Sequence, residues 1–133
     1  MTYVLVCGGR SYKNTARIYT VLDSINRETP ISLLITGGAV GVDSIAARWA
    51  EERGVNRCVF PANWKGKGKA AGPMRNQMML TLMKPTLLVA FPGGTGTADM
   101  IQRGMTDYKE RGLPLIRMFD DVRELPPLEI DRG

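Results

Sequence analysis

Three apolar runs of this 133-residue chain lead straight into paired glycines, Gly8-Gly9, Gly37-Gly38 and Gly93-Gly94, with helix-length segments between them. Five such runs occur in all, at residues 3–6, 33–35, 58–60, 87–91 and 115–119. They are continuous rather than alternating, the pattern of strands buried on both faces of a parallel sheet. The segments between them repeat at helical spacing. Ile18, Val21, Leu22 and Ile25 fall at i, i+3, i+4 and i+7, and Val42, Ile45, Ala46, Trp49 and Ala50 do likewise, with Gly54 where a C-cap glycine belongs. Pro73 suits the first position of a third helix over residues 74–83, since a proline nitrogen needs no partner there. Ile101, Met105 and Tyr108 mark a fourth helix, closed by Gly112 and Pro114.

This alternation predicts an α/β fold: a Rossmann-like three-layer sandwich around a five-stranded, mostly parallel sheet. Residues 1–119 make one domain. Residues 120–133, which include Pro126-Pro127, read as an extended C-terminal tail or a short closing element.

Composition narrows the chemistry. There is no histidine, which removes the commonest general base and the commonest metal ligand together, and neither a metal nor a cofactor is expected. Cys7 and Cys58 both lie in apolar runs and read as buried thiols of a cytoplasmic protein, not as a disulfide framework. No apolar run is long enough to span a membrane, and the first residues read as a strand instead of a leader. The net charge of +5 is uneven: residues 53–98 carry Arg53, Arg57, Lys65, Lys67, Lys69, Arg75 and Lys84 with no acid at all. Such a segment suits an anionic partner, phosphate or nucleic acid, or forms a solvated surface.

The distinctive residues all follow strand ends, on the edge of an open α/β sheet where ligands bind. Pro92-Gly93-Gly94-Thr95-Gly96-Thr97 precedes a helix, so small residues, hydroxyls and a helix N-terminus converge as an anion cradle. It is neither a Walker A loop, which needs Gly-Lys-Ser/Thr, nor a first-turn dinucleotide fingerprint. Gly37, Gly38 and Asp43 form a second glycine-rich turn, where Asp43 serves as a helix-start carboxylate or as an acceptor for a ribose or base. Gly8, Gly9 and Arg10 are placed to clamp the other end of a ligand. Lys69 ends a flexible Lys/Gly loop, and Trp64 either stacks on a base or packs locally. Arg75 sits in the first turn of its helix, where a cation opposes the dipole; contact with a phosphate or carboxylate accounts for it, with Asn76 as companion. Met74, Met78, Met79 and Met83 read as core or as an oligomer interface.

The segments VCGGRSY, ITGGAVGVDSIAARWA, FPANW…GKAAGPMRNQMM and VAFPGGTGTADM resemble the SLOG superfamily, in particular its YspA/cpYpsA-related branch, from about Thr2 to Phe119. The resemblance implies binding of a nucleotide or nucleotide-derived ligand, ADP-ribose-type signals in some relatives, and a homo-oligomer, in the first place a dimer. Distant phosphoribohydrolase relatives carry PGGxGTxxE and an arginine on the preceding helix, and cleave the N-glycosidic bond of nucleoside monophosphates. Here residues 92–97 and Arg75 match, but Met100 stands at the glutamate position. Asp99, one residue earlier, leaves the helix about 100° away. A hydrolase would use Arg75 and Asp99 as its catalytic pair. Alternatively Asp99 binds a ribose, or pairs with Arg103 at i+4. The similar domain of the DNA-processing protein A group implies a third reading, single-stranded nucleic acid, though no run of aromatics is present to stack successive bases. The leading expectation is a module that senses or sequesters a nucleotide-derived small molecule.

Overall fold

Backbone pairing in the computed structural model, which describes residues 1–129 apart from the Trp64 side chain, gives five parallel strands in the order β3-β2-β1-β4-β5. They are β1 (Tyr3–Cys7), β2 (Leu33–Thr36), β3 (Arg57–Val59), β4 (Leu87–Ala90) and β5 (Leu115–Met118). The chain steps outward from β1 to β3, then returns to place β4 on the other side of β1. That reversal opens a crevice above the carboxyl ends of β1 and β4.

Helices cover both faces. Val4, Val6, Leu34 and Val89 pack against α1 (Thr15–Glu28) and α2 (Val42–Arg53), through Ile18, Leu22, Val42 and Trp49 among others. Their strand neighbours Leu5, Cys7, Ile35, Leu88 and Ala90 face Met79 and Leu80 of α4 (Ala71–Met83) and Met100 of α5 (Thr95–Arg111). A period-two backbone with apolar cover on both sides has to read as unbroken apolar runs, which is why these strands were legible. The helix ends follow local chemistry. Asn14 accepts from the Arg17 N–H to cap α1, while Gly54 and Gly112 close α2 and α5 in the left-handed conformation.

Three features depart from the sequence reading. β3 and β5 are edge strands, with Arg57 and Val59 exposed on one and Leu115 on the other, so burial on both faces fails where a strand has a single neighbour. The Lys/Gly loop is instead a short helix, α3 (Trp64–Lys67), and a 3-10 turn, Gly68–Ala70. Pro73 is the third residue of α4, not its first, but still lies where helix N–H groups have no intrahelical partner. Its methionines divide: Met79 is buried, whereas Met74 and Met78, with Leu82, form an exposed stripe at i, i+4, i+8. Beyond β5 the chain turns back on itself, with a Phe119–Glu124 bridge and the Leu125 N–H donating to the Met118 carbonyl at 2.7 Å. The last four residues of the expected tail, 130–133, lie outside the described residues. No described helix is long and apolar enough to cross a membrane.

Candidate functional site

A cleft of about 1130 Å³ lies at this crevice, walled by the loops that follow β1, β2 and β4 and by the start of α4. The three loops touch through main chain. The Gly9 N–H donates to the Pro92 carbonyl at 2.8 Å and the Val42 N–H to the Gly9 carbonyl at 3.3 Å. A Cβ on Gly93 would stand 2.7 Å from the Gly9 nitrogen and collide with the Thr97 hydroxyl, so Gly93 is required by packing alone. Gly94 and Gly96 differ: nothing lies within 4 Å of a Cβ at either, and neither has a positive φ.

The first turn of α5 faces this cleft through Thr95, Gly96 and Thr97. Its N-cap, Gly94, offers no side-chain acceptor, and no acidic residue stands in the turn. The positive end of the helix dipole is therefore directed at the cleft with no acidic side chain in that turn to offset it.

Arg75 and Asn76 reach from α4 to the segments that follow β2, β3 and β4. Arg75 Nη1 donates to the Gly37 carbonyl and, at 3.4 Å, to the Phe60 carbonyl at the end of β3; its Nε donates to Asn76 Oδ1 at 3.0 Å. Asn76 Nδ2 in turn donates to the Gly96 carbonyl at 3.2 Å and to Asp99 Oδ2 at 3.0 Å. Two adjacent side chains thus tie together the loops after β2, β3 and β4. A Cβ on Gly37 would run into the Arg75 guanidinium, so the arginine could keep this position only against glycine. Burial pulls the Arg75 pKa down, opposed by the charge of Asp43 and reinforced by Arg10.

Asp43, in the first turn of α2, is 6% exposed and accepts from the Ala39 N–H at 3.2 Å. Burial raises its pKa against the pull of the Ala39 N–H, Arg75, the Gly37 N–H and Arg10. Asp99 is opposite in sign. Burial pushes it up, but hydrogen bonds from Arg103 and Asn76 and the Arg103 charge outweigh that and leave it lowered. Of the roles open to Asp99 in the sequence, the i+4 pair with Arg103 is formed, at 2.9 Å. Position 100 is held by Met100, 1% exposed, which packs in the core beneath the cleft and lines its floor.

The opposed shifts give a pH prediction. Folding stability linked to Asp43 is present below the ordinary 3.8 and lost as the pH rises through its higher folded value. Stability linked to Asp99 is present above 3.8 and lost as the pH falls through its lower folded value. Carbon-detected NMR of the side-chain carboxyls should find Asp43 titrating above 3.8 and Asp99 below it; the reverse order would contradict these contacts.

Every sequence-predicted site residue lines the cleft except two. Gly38 turns away at φ 74° and would press on Val59 if it carried a Cβ, so it shapes the loop without facing the cleft. The side chain of Trp64 lies outside the described residues. Sequence reasoning missed Cys7, Ser11, Tyr12, Ala39, Gly72 and Met79, which also line it. Burial, with Asp43 nearby, drives the Cys7 thiol far up, so it serves as cleft floor and not as a nucleophile. Tyr12 had a signal within the VCGGRSY segment. Its hydroxyl donates to Asp121 Oδ1 at 2.6 Å, and burial together with that bond pushes its pKa up to about 12.

Comparison with known proteins gives two findings. The family model described as "YspA, cpYpsA-related SLOG family" matches residues 2–66, from β1 through most of α3. The chain is also 33% identical over 128 residues to the Gene 61 protein of Mycobacterium phage D29, an alignment covering 90% of this chain and 98% of that protein.

Proposed function

This chain belongs to the YspA, cpYpsA-related SLOG family, and from that premise we propose that its cleft binds a phosphate-bearing nucleotide or nucleotide-derived ligand, which the protein senses or sequesters. The observation that carries the reading is the pair Gly94 and Gly96. Neither packing nor a positive φ asks for glycine there, yet both sit at the uncapped start of α5 facing the cleft. Close approach of an anion to the first-turn N–H groups is a reason for leaving that space empty. Thr95 and Thr97 add hydroxyl donors, and Arg10 and Lys69 add positive charge around the cleft.

Binding is preferred to hydrolysis for a stated reason. The Asp99 carboxylate is engaged by Asn76 and Arg103, and the next position along α5 is a buried methionine. A general base needs to reach the reacting water, and a carboxylate so engaged is poorly placed to do so.

The test is thermal shift with AMP, NAD, ADP-ribose and cyclic ADP-ribose, with the mixture chromatographed afterwards. A ligand present at a hundred times its Kd stabilises by about 2.7 kcal/mol. Stabilisation by at least one of the four without released base is the expected result. Released base would replace binding by hydrolysis. No shift with any of them, alongside binding of oligonucleotides that weakens steeply with salt, would favour nucleic acid instead.

A further inference from the structure

A stack of three aromatic rings runs from the core to the cleft wall. The Phe119 and Phe91 rings lie 5.9 Å apart at 30°, and Phe91 and Tyr12 lie 6.1 Å apart at 23°. The buried end is closed by cations, with Arg17 and Arg117 over the Phe119 ring at 5.7 Å and 5.5 Å. The other end is Tyr12, the one aromatic side chain among the described residues that lines the cleft. Phe91 and Phe119 are buried, whereas Tyr12 is only half-buried, so the stack stops at the cleft with its last ring incompletely covered.

The ring is also held in place. Its hydroxyl donates to Asp121, which accepts from Asn14 Nδ2 at 3.3 Å as well. The turn bearing Asp121 is itself anchored, since Arg17 Nε donates to the Asp120 carbonyl at 2.8 Å and the Asp120 carboxylate accepts the Val122 and Arg123 N–H groups. A tyrosine fixed by both its face and its hydroxyl loses little rotamer freedom when a ligand packs on it, and that lowers the entropic cost of binding.

We infer that Tyr12 is the stacking platform for the base of the bound nucleotide, so that the ligand lies with its phosphate at the start of α5 and a planar heteroaromatic ring continuing the Tyr12–Phe91–Phe119 stack. This rests on the nucleotide reading above and adds an orientation and a chemical requirement to it. A sugar phosphate without a base would leave the Tyr12 ring uncovered. The residues after β5, which looked like a tail, then belong to the site indirectly, because Asp121 sets the platform.

The experiment compares AMP with ribose 5-phosphate by calorimetry on wild type, Tyr12→Leu and Tyr12→Phe. Tyr12→Leu keeps apolar cover over Phe91 but removes the stacking face, which should weaken AMP roughly tenfold while leaving ribose 5-phosphate within about twofold. Tyr12→Phe keeps the ring and loses the tie to Asp121, so only the pre-organisation of the platform is lost and a reduction of about two- to threefold on AMP is expected. NOEs between adenine H2 or H8 and the Tyr12 ring protons in the wild-type complex are required as well, and stand even if Tyr12→Leu folds poorly. Equal weakening of both ligands, no weakening of either, or absence of those NOEs would overturn the platform while leaving the phosphate cradle intact. Wild type binding neither ligand would overturn both.

Discussion

Replacing Gly41 by alanine is expected to lower the melting temperature by roughly 10 °C or more and to remove stabilisation by any nucleotide. Gly41 caps α2 at φ 81°, ψ −128°, a region closed to residues with a Cβ. The added methyl would also meet the Arg10 carbonyl oxygen at 2.6 Å and overlap the Gly9 carbonyl oxygen. Both obstacles are main chain of the β1 loop and cannot rotate aside. Backbone strain of about 1–3 kcal/mol adds to overpacking of about 1–3 kcal/mol. At about 3–5 °C per kcal/mol for a chain of this size, that reaches the stated fall. The loops after β1 and β2 have to separate to relieve it, and they form adjacent walls of the cleft. Gly54→Ala is the control: φ is 69° there too, but nothing lies within 4 Å, so only the conformational cost remains, about 1 kcal/mol. Should Gly41→Ala melt within about 2 °C of wild type, close contact between the two loops would not be what fixes the site.

The contrast between legible and illegible parts has a physical cause. β1, β2 and β4 were readable because burial on both faces fills the run with apolar residues, with Thr36 at the end of β2 the exception. The segment that became α3 and the 3-10 turn carries Lys-Gly-Lys-Gly-Lys, exposed throughout, so no apolar period announces its turns. The neighbours Gly37 and Gly38 look equivalent in sequence and do different work. What separates them is Arg75 on α4 pressing on one and Val59 on β3 pressing on the other, both distant along the chain. Arg75 stands out in sequence as a cation against its helix dipole with a phosphate or carboxylate as the expected partner, but the partners formed are two main-chain carbonyls and Asn76, and a carbonyl carries no sequence signature. Tyr12 was passed over because its neighbours, Phe91 and Asp121, are assembled only by the sheet and by the turn after β5.

Arg75→Ala should therefore cost both stability and ligand binding, where a simple phosphate contact would cost binding alone. Removing the guanidinium deprives the Gly37 and Phe60 carbonyls of a charged donor and empties the space against Gly37. It also removes the positive charge that favours ionised Asp43. Hydrogen bonds from a charged donor contribute about 1.5–3 kcal/mol each when well formed. One strong bond and one long one then give an expected loss of roughly 2–4 kcal/mol, with nucleotide stabilisation abolished because the loops after β2 and β4 are no longer held relative to each other. Arg75→Lys should recover less than half of it, since an ammonium is a point charge and cannot present a planar fork to two carbonyls and Asn76 at once. Two further readouts distinguish the brace from a ligand contact in the absence of any ligand. Amide exchange at Ala39, whose N–H is held by Asp43, should accelerate in Arg75→Ala, and the Asp43 carboxyl should titrate higher still with the opposing cation gone. An Arg75→Ala protein that melts with wild type, keeps both signals unchanged and loses only phosphate affinity would make this arginine a ligand contact. The cohesion of the cleft would then rest on Asn76 and the glycine loops themselves.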